Sequence, residues 1–220
     1  MAKSPQVGLS ISARPAWKLR RPAGMVGDAV YLFLDCETTG LPKRRGAPIS
    51  DLENWPRVVQ IAWLLYDETD RHVESRSSLV QPDGFTIPQD AQRVHGITTE
   101  RALTEGRPLL TVLAELDAAA DRSSVVVSHN LEFDRSVISA EYLRLGLDPL
   151  FGDKTLICTM VSSTGFCALP GSYGYKWPTL PELHRALFGS TYVETHEAGT
   201  DVAVCAKCFF ELKRRRLVAG

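Results

Sequence analysis

No stretch of this 220-residue chain is apolar for long enough to span a bilayer, and no secretory h-region follows its first methionine. The five cysteines are odd in number and irregularly spaced, which points to reduced thiols and a cytoplasmic setting. Cys205-x-x-Cys208 lacks a second cysteine pair that would complete a zinc site, and it falls in a helical pattern, so it reads as two buried core thiols. Net charge is also lacking. The formal value of −1 gives no global attraction to nucleic acid, so any basic surface has to be local. Internal repeats are absent. What remains, 44% hydrophobic and 23% charged residues, is the make-up of one ordinary globular domain with a substantial core.

Acidic residues are missing before Asp28, whereas Lys3, Arg14, Lys18, Arg20 and Arg21 all precede it. Pro5, Pro15 and Pro22 break any helix there. Residues 1–27 are therefore expected to be a poorly ordered basic segment ahead of a folded region over residues 28–216. A nucleic-acid-contacting arm is a second reading. A transit peptide is a third, disfavoured by poor amphipathic periodicity.

The folded region centres on Val30-Tyr-Leu-Phe-Leu-Asp35-Cys-Glu37-Thr-Thr-Gly40. Side chains alternate across a strand, so Asp35 and Glu37 share one face and Cys36 takes the other. Two carboxylates side by side at the end of a buried strand repel each other and lose hydration, which calls for a nearby cation. The pattern alone is weak, because Asp-x-Glu arises by chance about once in a chain of this length. Asp51-Leu-Glu53 repeats it in a loop.

Residues 57–67 are nearly continuously apolar and read as a buried strand, and His72 to Gln81 alternates like an edge strand. Together with the first strand they suggest an antiparallel meander. The period then changes. Helices are expected over Pro108 to Arg122, Asn130 to Leu145 (closed by Gly146), Thr179 to Phe188 and Ala198 to Arg216. Short strands are expected at Ser124 to Ser128 and Asp153 to Cys158, with a long loop over residues 161–178. In that loop Phe166, Tyr173, Tyr175 and Trp177 either stack on bases or cover the sheet. The loop Lys43-Arg44-Arg45 leaves the first strand just after its carboxylates, and suits either phosphate contacts or plain solvation. Strands first, then helix and strand in alternation, give a mixed sheet flanked by helices, a three-layer α/β domain.

Three further segments bear acidic or histidine side chains. In Ser128-His129-Asn130-x-x-Phe133-Asp134 a strand runs into a helix whose first turn holds Asp134. In His196-Glu-Ala-Gly-Thr-Asp201 the aspartate again opens a helix, and His196 precedes it on a glycine-containing loop. In Val94-His95-Gly96-Ile97-Thr98 a turn leads to a helix N-cap at Thr98. Each alone has a plain explanation, such as a carboxylate complementing a helix dipole.

In order and spacing, Asp35-x-Glu37-Thr38-x-Gly40, His129-Asn130-x-x-Phe133-Asp134 and His196-x-x-x-x-Asp201 resemble the three motifs of the DnaQ-like 3′–5′ exonucleases. The likeness is to the DEDD group whose members carry a histidine five residues before the last aspartate. It covers roughly residues 28–214 and takes in His95 to Thr98 and the helix from Leu180 to Gly189. It implies a ribonuclease H-like exonuclease fold with a mixed five-stranded sheet. It implies that Asp35, Glu37, Asp134 and Asp201 hold two divalent ions about 4 Å apart. Oxygen-only ligands favour Mg²⁺ or Mn²⁺ over Zn²⁺. His196, with a free-imidazole pKa near ~6.5, takes the role of general base on a loop that can swing. Thr38, Asp90 and His95 are expected along the terminal nucleotide. Asp90 departs from the glutamate of the family pattern and keeps its charge.

The function so implied is removal of nucleoside monophosphates from the 3′ ends of single-stranded or frayed DNA, with nucleic acid 3′ ends as the partner. Alternatives are RNA 3′-end trimming, a proofreading subunit bound to a polymerase, and a non-catalytic 3′-end-binding protein. The chain stops at Gly220, soon after the last helix and its Lys213 to Arg216 cluster, without the long tail expected of a polymerase-bound subunit. That basic cluster reads as helix C-terminal charge rather than a phosphate contact. Several relatives dimerise, and no stripe in this sequence marks a homodimer interface.

Overall fold

The computed structural model describes residues 29–152 and 154–218, so the basic segment over residues 1–27 lies outside it. The meander forms first: β1 (Ala29–Thr38), β2 (Val58–Asp67) and β3 (His72–Leu79), each antiparallel to the next. Three helices follow, α1 (Gln89–His95), α2 (Thr99–Glu105) and α3 (Leu109–Ala120), and then β4 (Val125–Ser128), α4 (Leu131–Arg144) and β5 (Thr155–Cys158). The chain continues through the short turns α5 (Thr159–Ser162) and α6 (Thr164–Cys167) and the hairpin β6 (Pro170–Gly171) and β7 (Gly174–Tyr175). It ends with α7 (Leu180–Phe188) and α8 (Ala198–Arg214). The main sheet runs β3-β2-β1-β4-β5, with β4 and β5 parallel to β1, so the strand carrying Asp35 and Glu37 is central.

A central strand covered on both faces should read as a continuous apolar run. Tyr31, Leu32, Phe33 and Leu34 are accordingly all buried. The pleat sorts them. Leu32, Leu34 and Cys36 pack with Val112, Leu113 and Leu116 of α3 and Val137, Ile138 and Tyr142 of α4. Tyr31 and Phe33 pack with Leu183 and Leu187 of α7 and Val202, Cys205 and Phe209 of α8. Asp35 and Glu37 continue this second row toward the carboxyl end of the strand.

Most element boundaries follow the sequence reading. Thr98 caps α2 through Arg101 N–H, and Thr179 with Glu182 forms a capping box at α7. Cys205 and Cys208 are free and buried, and burial raises both thiol pKa values, that of Cys208 to about 12. Two expectations need correction. The helix expected after the Thr98 cap is present as α2, but a further helix, α1, stands over residues 89–95 where the sequence suggested only a turn. Each is seven residues long, too short for a clear apolar period, and they are held by a separate small core of Val59, Ile87, Ala91, Ile97 and Ala102. The long loop over 161–178 is instead built from α5, α6 and the β6–β7 hairpin, elements too short for periodicity to reveal. The expected strand from Asp153 is described only from Thr155.

Candidate active site

The acidic residues converge at the carboxyl ends of the parallel strands β1 and β4, the end of an open α/β sheet where ligands generally sit. Three local devices aim them there. Beyond Glu37 the β1–β2 register shifts, and Gly40 adopts φ +144, so the chain turns away sharply. Thr38 is buried in that turn, and its hydroxyl donates to the Gly40 carbonyl at 2.6 Å.

At the second device Asn130 takes φ +73, a left-handed conformation that asparagine tolerates, and passes β4 into α4 within two residues. That places Asp134 in the first helical turn, against the end of β1. Its carboxylate accepts from Cys36 Sγ at 3.1 Å and from Ser128 Oγ. Cys36, on the strand face opposite Asp35 and Glu37, thus ties the helix to the strand.

The third device is Gln60, the β2 partner of Glu37. Its Nε2 donates to Glu197 Oε1 at 3.0 Å, and its Oε1 accepts from Ala198 N–H at 3.2 Å. Glu197 is the N-cap of α8 and also accepts from Thr200 N–H at 2.8 Å. The start of α8 is thereby fixed over β1, and Asp201 in its first turn faces Glu37. Gly199 lies inside α8 and not on a loop. The residue of unusual backbone is His196 itself, at φ +49.

Glu37, His196 and Asp201 each offer a ligand atom, all within 4.8 Å of one another. Burial, followed by the negative charges of Asp134, Glu37, Asp201 and Glu194, raises the Asp35 pKa well above the usual carboxylate range. Glu37 is pushed up to about 8 by burial and by Asp201 and Asp134. Burial also raises Asp134 and Asp201, against hydrogen bonds that act in the other direction. A group of oxygen donors that mutually disfavour ionisation is suited to a hard divalent cation, which would relieve the repulsion.

The remaining candidates are distributed around this group. His95 is buried, and its Nδ1 accepts from Ile97 N–H at 3.0 Å. Burial lowers its pKa, opposed by the backbone of Thr38 and reinforced by the charge of His196. Asp90 lies on the exposed face of α1, ion-paired with Arg93. In the basic loop Arg44 pairs with Asp51 at 2.9 Å.

Sequence reasoning missed two residues in the loop before His196. Glu194 adds a further carboxylate beside Asp35, Glu37 and Asp201, and Tyr192 donates its hydroxyl to Asp201 Oδ1. Their only sequence signal is nearness to His196, in a stretch without period.

Fold and acidic group together define a class: an α/β domain with a candidate divalent-metal centre at the carboxyl end of its central strand. Residues 32–209 match the family model RNase_T, described as exonuclease. The chain belongs to this family, the DnaQ-like 3′–5′ exonucleases, whose chemistry depends on divalent metal.

Solved structures of Escherichia coli exonuclease I share the fold. The complex with a dT13 oligonucleotide is 21% identical with a TM-score of 0.66, covering 86% of this chain and 42% of that one. The zinc-bound complex with single-stranded DNA is 22% identical with a TM-score of 0.65, at the same coverage. The chain therefore spans about two fifths of the length of these proteins. A search of curated proteins gave no match. No helix among the described residues is long and apolar enough to cross a membrane.

Proposed function

We propose that this chain hydrolyses the terminal phosphodiester at the 3′ end of single-stranded or frayed DNA and releases nucleoside monophosphates. The observation that carries the reading is the meeting of Glu37, His196 and Asp201 within 4.8 Å, beside a fully crowded Asp35 and Asp134. In this reading Asp35, Glu37, Asp134 and Asp201 hold two Mg²⁺ or Mn²⁺ ions. When bound, such ions supply charge neutralisation at the phosphate and lower the pKa of water.

The chain's own residues do the rest. His196 accepts the proton of the attacking water at a ring nitrogen, and its strained φ of +49 lets it relax outward between turnovers. Thr38 and His95 position the terminal nucleotide. The hydrogen bond between the His95 ring and the backbone of Thr38 supports that role, since it holds the two side by side at the end of β1. DNA is favoured over RNA because the fold neighbours were solved with DNA oligonucleotides bound.

The test is a time course on 5′-labelled DNA and RNA oligonucleotides of one sequence, with Mg²⁺, with Mn²⁺ and with chelator. The expected outcome is a ladder shortening from the 3′ end, faster on DNA, dependent on metal and abolished in Asp35→Ala. Intact substrate under every metal condition, with binding retained, would replace hydrolysis by end binding.

A further inference from the structure

The β6–β7 hairpin is the place where this chain departs most from burying its large side chains. Tyr173 in its turn is fully exposed, Tyr175 is 61% exposed and Trp177 is 58% exposed. Of the rings in this segment only Phe166 packs against the core. The expectation that these rings cover the sheet therefore holds for Phe166 and fails for the other three.

The backbone that carries the exposed rings is hydrogen-bonded to the rest of the chain. Lys176 N–H donates to the Leu169 carbonyl at 2.9 Å and extends the hairpin pairing. Its ammonium pairs with Glu182 of α7 at 2.6 Å. Tyr175 and Trp177, one position either side of it, are the exposed rings. Trp177 precedes Pro178, which favours extended backbone there. Two side chains on the same face of an extended segment stand about 6.7 Å apart, twice the ~3.4 Å spacing of stacked bases, leaving room for one flat ring between them.

The segment is also tied to the acidic group. The Pro178 carbonyl accepts from His129 Nε2 at 3.1 Å, and His129 Nδ1 meets Thr159 Oγ1 at 3.0 Å. His129 adjoins Ser128, whose hydroxyl holds Asp134. Thr179 N–H then bonds Glu182 Oε2 at 2.8 Å and fixes the exit into α7. Rings prepositioned on a braced segment beside the site lose little freedom when a flat partner docks.

Resting on the function proposed above, we propose that Tyr175 and Trp177 form a stacking platform for the unpaired bases of the strand whose 3′ end enters the acidic group. Stacking needs no hydrogen-bond readout, so the platform takes any base and selects single strands, whose base faces are free. Base-paired ends have to fray before they reach it.

The test is binding of a 5′-labelled oligo(dT) of about 12 nucleotides in chelator, where no cleavage occurs, followed by anisotropy and by tryptophan emission. Tyr175→Ala and Trp177→Ala are each expected to weaken affinity about 10-fold, as loss of one stacked base does. Trp177→Phe restores most of it. Wild-type emission is quenched at saturation, and Trp177→Phe removes that quench. Wild-type affinity in both alanine variants, or unchanged emission at saturation, overturns the platform, as does a weakened variant that also melts earlier. A protein that shortens DNA while its alanine variants bind normally keeps the hydrolytic reading and loses the platform. One that binds with quenching but cleaves nothing does the reverse.

Discussion

Two sets of buried carboxylates in this molecule are treated in opposite ways. Glu141 of α4 is only 1% exposed and is fully compensated: Arg57 Nε lies at 2.9 Å, Arg144 at 3.1 Å, and Val58 N–H donates at 2.9 Å. Arg144 also donates to the Leu52 and Trp55 carbonyls at 2.7 Å, so this network pins the 41–57 segment to α4. Asp35, on the other face of the sheet, has Asp134, Glu37, Asp201 and Glu194 as its strongest charged neighbours, every one of them negative. A buried charge serving the fold finds its counter-charge within the chain. One that is left uncompensated marks a place where the counter-charge arrives from outside.

The sharpest way to break this comparison is to neutralise one member of each set. Asp35→Asn is expected to lower exonuclease turnover on the order of 10³-fold, since it removes several kcal/mol of charge stabilisation at the phosphate. It should nevertheless make the metal-free protein more stable. A carboxylate whose folded pKa is raised contributes stability at pH below its unfolded value near ~3.9, and this is lost as pH rises through the folded value. The gain from Asp35→Asn in chelator is therefore larger at pH 8 than at pH 5, and added divalent metal should stabilise the wild type most at pH 8. Denaturant melts at the two pH values read both effects, and equal gains at pH 5 and pH 8 would remove the crowding argument. Glu141→Ala is expected to do the opposite. Removing the shared partner of two arginines should cost about 3 kcal/mol at either pH, with metal affinity of the folded protein retained.

Part of this arrangement was legible in the sequence. The apolar run ending in Asp35 and Glu37 read as a buried strand and the helical periods placed Asp134 and Asp201 in first turns, but each pattern alone was weak, and only the order and spacing shared with a known family joined them into one group. What could not be read was long-range. Glu141 sits in a helical period and gives no sign of meeting Arg57, 84 residues away. Gln60 looks like one polar residue in a buried strand, yet it sets where α8 begins. Glu194 and Tyr192 lie in an aperiodic loop whose path is dictated by packing against α7, where Tyr192 meets His184 with ring centroids 5.8 Å apart. The short α1 and hairpin elements were missed for a related reason, since seven residues or fewer carry too little pattern.

The contrast also extends to histidine. His129 is partly buried and held neutral: desolvation lowers its pKa to about 4, against the hydrogen bond to the Pro178 carbonyl, which acts to raise it. A histidine with a depressed folded pKa contributes full stability above its unfolded value near ~6.5, and loses it as pH falls toward 4. Relative to the wild type, His129→Gln should lose less stability between pH 6.5 and pH 4, by at most about 3 kcal/mol. The carboxylate group pulls the wild-type profile the other way, so the difference between the two proteins, and not either curve alone, is the measurement. Parallel curves would mean that His129 is already charged in the folded state.

The smallest effect expected concerns the side-chain contact that Cys36 of β1 makes with the acidic group. Cys36 Sγ donates to Asp134 at 3.1 Å, and burial together with the Asp134 charge pushes the thiol pKa well above its usual value, keeping it protonated as a donor. Cys36→Ser retains a donor of similar size, whereas Cys36→Ala leaves one carboxylate oxygen with a lost partner. The alanine variant should cost about 1 kcal/mol of stability and, because partners of ligand carboxylates hold them in place, about 10-fold in the metal concentration for half-maximal activity. The serine variant should recover most of the second effect. Should serine and alanine shift the metal requirement equally, the Cys36 side chain fills space beside Asp134 without orienting it, and the hydroxyl of Ser128 with the Cys36 backbone sets that carboxylate.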